Sequence, residues 1–193
     1  MSVISVSIST DHEFSKTPQT SITLIQGRGV KGDCHAGETV QHRSRLNIRP
    51  APPNLRQVHL IQSELFEEFA SAGADGTTYQ VAPGQLGENI TTAELDLLSL
   101  SADTKLHFVP GDTKTIPEIA HAVVRITGLR NPCPQIDGFQ KGLKDRCIIR
   151  DQRRSIVERK AGVMGVVEVG GLLQPGYRIL VESPRSPQTL QCV

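Results

Sequence analysis

At the start of the chain Ile4, Val6 and Ile8 alternate with Ser5, Ser7 and Ser9, a period of two that predicts a half-buried strand. A second strand is predicted over 21–25, where Ser-Ile-Thr-Leu-Ile runs directly into the glycines of QGRGVKGDCHAG, so a loop begins there. Val58 and Leu60 mark a short strand. Ser63 is then placed to cap a helix through QSELFEEFASAG, with Leu65, Phe66 and Phe69 on one face and Gly73 at its end. KLHF at 105–108 and AVVRITG at 122–128 are rich in residues that fit a pleated sheet. A modest helix is predicted from Ile136 to Leu143 or further. VMGVVEVGG and YRILVE follow as two strands joined by a turn through Gly170, Gly171, Pro175 and Gly176.

Many short strands, frequent turns and one or two strong helices give a mainly β fold with a few helices, a barrel or tightly curled sheet with helices packed outside. The strands are not separated by regular crossover helices, which argues against a doubly wound parallel sheet. Between Glu38 and Arg56 the chain carries His42, Arg43, Arg45, Arg49 and Arg56 with Pro50, Pro52 and Pro53, the composition of a long basic surface loop. VAPGQLGENITT is expected to be irregular. Residues 1–183 are expected to form one domain, and 184–193, with Pro184 and Pro187, a loose tail.

At 193 residues the chain can bury one substantial core without staples. Its 21 basic and 20 acidic side chains leave a net charge of +1. There is no global field to draw it onto a nucleic acid duplex or an anionic membrane, so any attraction for anions must be local. Cys34, Cys133, Cys147 and Cys192 show neither CxxC spacing nor a disulfide framework. MSVISVSIST lacks the features of a signal segment, and no stretch approaches the roughly 20 apolar residues that span a bilayer. A cytoplasmic location is the expectation.

Cys133 is the candidate with the most constrained setting. Pro132 and Pro134 fix the backbone on either side of it, on a segment that neither a helix nor a central strand accommodates. A thiol held rigidly on a loop suits a metal ligand or nucleophile, and Arg130, three residues earlier, offers a cation that favours the thiolate. The plain alternative is a small buried hydrophobe. In GDCHAG, Asp33, Cys34 and His35 are all capable ligands; in an extended segment Asp33 and His35 converge while Cys34 points away, and a structural turn is the alternative. GQLGEN offers Gly87, Glu88 and Asn89, an amide-rich loop able to hold a polar heterocycle or to serve as an ordinary turn. It is neither GxGxxG nor a P-loop. The basic 43–56 loop and the run of Arg150, Arg153, Arg154, Arg159 and Lys160 can grip a phosphate or simply form a solvated face.

GDCHAG, LGENITT, the Arg-x-x-Pro-Cys of LRNPCPQI and the closing GVMGVVEVGGLLQPGYRI, in this order and at these separations, resemble the MOSC domain family, and the small stand-alone type in particular. The resemblance extends from about residue 20 to 183. It implies a curled β-barrel that handles the molybdenum cofactor (molybdopterin). Cys133 takes the position of the cysteine that coordinates molybdenum or carries a persulfide. Asp33, His35, Gly87, Glu88, Asn89 and Arg130 would line the cofactor site.

The activity this implies is a molybdenum-dependent reductase of N-hydroxylated compounds, acting on a small molecule with electrons from an external donor protein. The alternatives are a sulfur carrier through a Cys133 persulfide, and a non-enzymatic cofactor-binding domain. The N-terminal barrel of larger relatives is not seen here, so the substrate contacts it gives them are expected either to be missing or to come from a second copy in a homodimer. Pyridoxal phosphate binding, which the family also includes, belongs to fused desulfurase domains; none is seen in this chain, so sulfur would come from a donor protein.

Overall fold

A computed structural model describes residues 1–42, 47–73 and 75–193. Seven strands form a closed barrel. In spatial order they are β13 (Arg178–Glu182), β7 (Lys105–Val109), β8 (Ala122–Leu129), β11 (Val163–Val169), β5 (Val58–Gln62), β6 (Ile90–Ala93) and β1 (Ser2–Ile8). Closure is made where β1 meets β13 at Ser2 and Arg178, reinforced by the Val3 N–H to the Tyr177 carbonyl at 2.8 Å. All neighbours are antiparallel except β5 and β6, which run parallel. A short strand β2 (Thr17–Gln19) extends the sheet from β1. Outside the barrel, β3 (Ile22–Ile25) pairs with β4 (Gly29–Val30) and with β12 (Gly171–Leu173), and β9 (Ile148–Arg150) forms a hairpin with β10 (Ile156–Arg159).

Two apolar clusters hold this together. Val6, Leu60, Ile90, Leu106, Ile126 and Val163 fill the barrel with essentially no solvent exposure. Each such side chain is worth about 1.5–3 kcal/mol when fully buried. The second cluster lies under α1 (Glu64–Ala70), whose Leu65, Phe66 and Phe69 pack against Leu86, Ile136, Leu143 and Cys147. Burial pushes the Cys147 thiol up to about 12, so it stays a protonated packing group.

The curled, mainly β fold expected from the sequence is what forms, and several details differ. Strand β1 does not alternate as its isoleucines suggest. A register shift between Val3 and Ser5 turns Val3 and Val6 inward, leaves Ile4 41% exposed, and buries Ser5 and Ser7. Ser63 precedes α1 without a side-chain capping bond, and the helix stops at Ala70 rather than Gly73. The helix predicted from Ile136 is two pieces, α2 (Gln135–Phe139) and α3 (Leu143–Arg146), broken at Gly142 with φ of 90°. Strands β11 and β13 are not neighbours: β12 lies between them in the chain and leaves the barrel to pair with β3.

The end of the chain is docked rather than loose. Leu190 is buried, and Leu129 bonds the Gln191 carbonyl at 2.8 Å. Arg43 and Arg45 lie outside the described residues. Among the described residues, no helix is long and apolar enough to cross a membrane.

Candidate functional site

Three stretches flanking barrel strands, residues 9–16 after β1, 84–89 before β6 and 130–135 after β8, converge on one cleft with residues 31–37, which follow the outer strand β4. His35, Gly87, Asn89, Arg130 and Cys133 all line it, so the structure brings GDCHAG and LGENITT together beside the Pro-Cys-Pro segment. Asp33 and Glu88 lie behind the lining, both buried. His59 from β5 and Met164 from β11 contribute the barrel side.

Asp33 is the hub of the first wall. Its Oδ2 accepts from Lys16 Nζ at 2.5 Å, from Asn89 Nδ2 at 2.9 Å and from the Ser9 backbone N–H at 3.4 Å. Its Oδ1 accepts from the His35 N–H at 3.0 Å and lies 3.4 Å from His35 Nδ1. Burial works against the charge, but the His35 bonds and the Lys16 ammonium outweigh it and hold the carboxyl well below its usual range. For Lys16 burial is the stronger influence and lowers the ammonium from its ordinary value despite Asp33.

Asn89 commits its whole amide to the scaffold. Nδ2 donates to Asp33 and to the Ser7 carbonyl at 3.1 Å, while Oδ1 accepts from the His59 N–H at 3.2 Å. Ser7 is buried in β1, and its backbone carbonyl belongs to this network. Glu88 ties its own loop. Its carboxylate accepts from the Gly84 N–H and from Thr91 Oγ1 at 3.0 Å, and burial raises its pKa.

Gly87 stands at φ +80°, and a Cβ there would come within 2.5 Å of the Phe14 carbonyl oxygen. The glycine lets the 84–89 loop lie directly on the 9–16 loop.

The second wall is simpler. Arg130 donates from Nη1 to the Leu86 carbonyl at 2.7 Å and sits over the Phe14 ring at 5.7 Å. Its Nη2 lies 4.0 Å from Cys133 Sγ, and Sγ is 3.6 Å from Gln135 Oε1. The sulfur is half-buried and faces the cleft. His59 is fully buried; burial, then the Arg130 charge, holds its pKa well below the usual value. Its Nε2 lies 2.8 Å from the Ala161 carbonyl, which accepts from that nitrogen when it is protonated.

Around the cleft the charge is lopsided. Lys16, Arg56 and Arg130 line it together with four histidines, His12, His35, His42 and His59, against one carboxylate, Glu13, among the described residues. A chain of net charge +1 thus concentrates cationic and hydrogen-bonding groups in one place.

Cys34 does not point away from its neighbours as an extended segment would have it. Residues 33–36 form a turn, closed by the Ala36 N–H to the Asp33 carbonyl at 3.0 Å, which puts Cys34 Sγ 3.1 Å from His35 Nδ1. Arg150, Arg153 and Arg154 sit exposed on the β9–β10 hairpin and do not line the cleft. Sequence reasoning passed over Lys16, His12, Phe14, Asn54 and His59. Only His59, a lone polar side chain in the apolar run Val-His-Leu-Ile, left a visible signal.

A closed barrel thus presents a thiol, three cationic side chains and four histidines to one cleft at its rim. Residues 32–180 match the MOSC domain family, and the chain belongs to that family, which is associated with molybdenum cofactor binding. No curated protein sequence matches the chain. Among solved structures it is similar to the YuaD protein from Bacillus subtilis, at 22% identity and a TM-score of 0.70, covering 95% of this chain and 96% of that one. It is also similar to YiiM from Escherichia coli, at 16% identity and a TM-score of 0.60, covering 98% of this chain and 73% of that one. These likenesses concern the fold.

Proposed function

We propose that the protein binds the molybdenum cofactor and reduces N-hydroxylated compounds, with Cys133 Sγ as the protein ligand to the metal. The observation that carries this reading is the position of Cys133: a half-buried sulfur, fixed between two prolines, opening onto a cleft rich in cations.

The residues present suit the group. A thiolate is a soft ligand appropriate to a sulfur-rich metal centre. Lys16 and Arg130 are buried or half-buried cations anchored by Asp33 and by the Leu86 carbonyl, and so are pre-oriented for a phosphate. Asn89 and Asn54 spend their amide hydrogens on the scaffold; Asn54 donates to the His35 and Gly37 carbonyls, each at 3.0 Å. They are positioning residues that hold His35 and the loop backbone in place. When bound, the cofactor supplies the redox centre that takes up electrons and delivers them to the N–O bond. Arg130 keeps a fixed positive charge beside the sulfur, and the neutral His59 adds none beneath it. Electrons come from a separate donor protein.

The test is metal and sulfur analysis of protein made in a host that synthesises the cofactor. The proposal expects close to one molybdenum per chain. Cyanide-labile sulfur without metal would instead identify a sulfur carrier, and neither metal nor labile sulfur would leave a non-enzymatic domain.

A further inference from the structure

One cluster on the rim supplies no metal ligand in that reading. The Cys34 N–H donates to the Ser9 carbonyl at 2.8 Å, and the Ser9 N–H returns to Asp33 Oδ2 at 3.4 Å. These two bonds zip the 9–16 loop to the 31–37 loop and bring His12 against Cys34 and His35. The His12 and His35 rings meet edge to face with centroids 5.2 Å apart, and Cys34 Sγ is 3.1 Å from His35 Nδ1. One ring nitrogen from each histidine and the sulfur all lie within 4.8 Å of one another.

Bond lengths of about 2.0–2.1 Å to nitrogen and 2.3 Å to sulfur put the ligand atoms of a tetrahedral zinc ion about 3.3–3.6 Å apart. The cluster therefore spans the required separation, one pair slightly inside it and the rest reaching it by small side-chain rotations. Two imidazoles and a thiol are a donor set for a borderline-soft divalent ion. Asp33, which accepts the His35 backbone N–H at 3.0 Å, fixes the backbone that carries Cys34 and His35. His12 and His35 both line the cleft, and Cys34 lies behind them.

We propose that His12, Cys34 and His35 form a zinc-type site of three protein ligands, with an open fourth position facing the same cleft as Cys133. Three protein ligands and an open position are the arrangement of a zinc ion that takes water or a substrate atom, rather than of a closed structural site. The site rests on the cluster itself and not on the molybdenum reading.

Cobalt(II) titration of the full, metal-free protein tests it, because a cysteine thiolate bound to cobalt gives a charge-transfer band that imidazole and carboxylate ligands do not. The wild type is expected to bind one Co²⁺ per chain with this band, and Zn²⁺ to displace it. Cys34→Ser should abolish the band. His12→Ala should weaken binding by at least roughly tenfold, the cost of losing even an outer-shell partner. Cys133→Ser should bind Co²⁺ as the wild type does. Absence of the band in the wild type, its survival in Cys34→Ser, or its loss in Cys133→Ser would overturn the site. Circular dichroism on each variant separates lost ligands from lost fold, and none of these outcomes depends on molybdenum loading.

Discussion

The two walls of the cleft are built on opposite principles. On the first, Asp33, Lys16 and Asn89 are buried polar groups bonded to one another and to backbone, so that three loops behave as one piece, while Glu88 ties its own loop through the Gly84 N–H and Thr91. On the second, Arg130 is anchored to Leu86 and Phe14, while the Cys133 sulfur has only long contacts to Arg130 and Gln135 among the described residues. Satisfied buried polar networks confer rigidity and are costly to break. A sulfur with loose contacts contributes little to the fold and remains available to a ligand. The first wall should therefore report on stability, and the second on chemistry.

The largest expected effect is on the first wall. Asp33→Ala leaves the Lys16 ammonium buried without its partner, and should destabilise the protein by about 3–5 kcal/mol, read as a lowered denaturant midpoint. A loss below about 1 kcal/mol would mean that the network is solvated and the wall is not stiff. The same pair predicts a pH dependence. The folded pKa of Asp33 is depressed, so its contribution is fully present above the ordinary carboxylate range and is lost as pH falls through and below it. Asp33→Ala should lack that share of the acid sensitivity, whereas the opposing contribution of Glu88, whose pKa is raised, is common to both proteins.

A smaller effect is expected at Gly87. Gly87→Ala places a Cβ at positive φ against the Phe14 carbonyl, and should cost about 1–3 kcal/mol. It should also disturb cofactor retention, because Phe14 supports Arg130. Unchanged thermal unfolding in this variant would show that the two loops can separate freely.

How far the sequence carries can be judged residue by residue. Strands β5, β7 and β8 follow from their short runs of apolar and β-branched residues, and the buried face of α1 from its helical spacing, because these segments pack on apolar neighbours. The phase of β1 does not, because a bulge set by its pairing with β6 decides which residues face inward. Strands β9 and β10 carry Arg150, Glu158 and Arg159 on a two-stranded hairpin, where no buried face imposes a pattern. In the site, Cys133 stands out through its two prolines. Lys16 gives no local sign, since its partner Asp33 is seventeen residues away and only the fold joins them. The turn at 33–36, the alternative that GDCHAG offered, is closed by the local Ala36 N–H to Asp33 carbonyl bond, whereas the Cys34 N–H to Ser9 carbonyl bond that docks it against the 9–16 loop is set only by the fold.

The contrast between the walls is tested most directly at Cys133. Cys133→Ser changes side-chain volume little at a half-buried position, so apo-protein unfolding should shift by about 1 kcal/mol or less. Comparing apo forms removes the stabilisation that a bound cofactor adds. In the turnover assay, on molybdenum-loaded forms with an artificial electron donor, the wild type should turn over an N-hydroxylated base, and the serine variant should fall to background. A serine variant that folds and turns over like the wild type would contradict the assignment of Cys133 as the metal ligand.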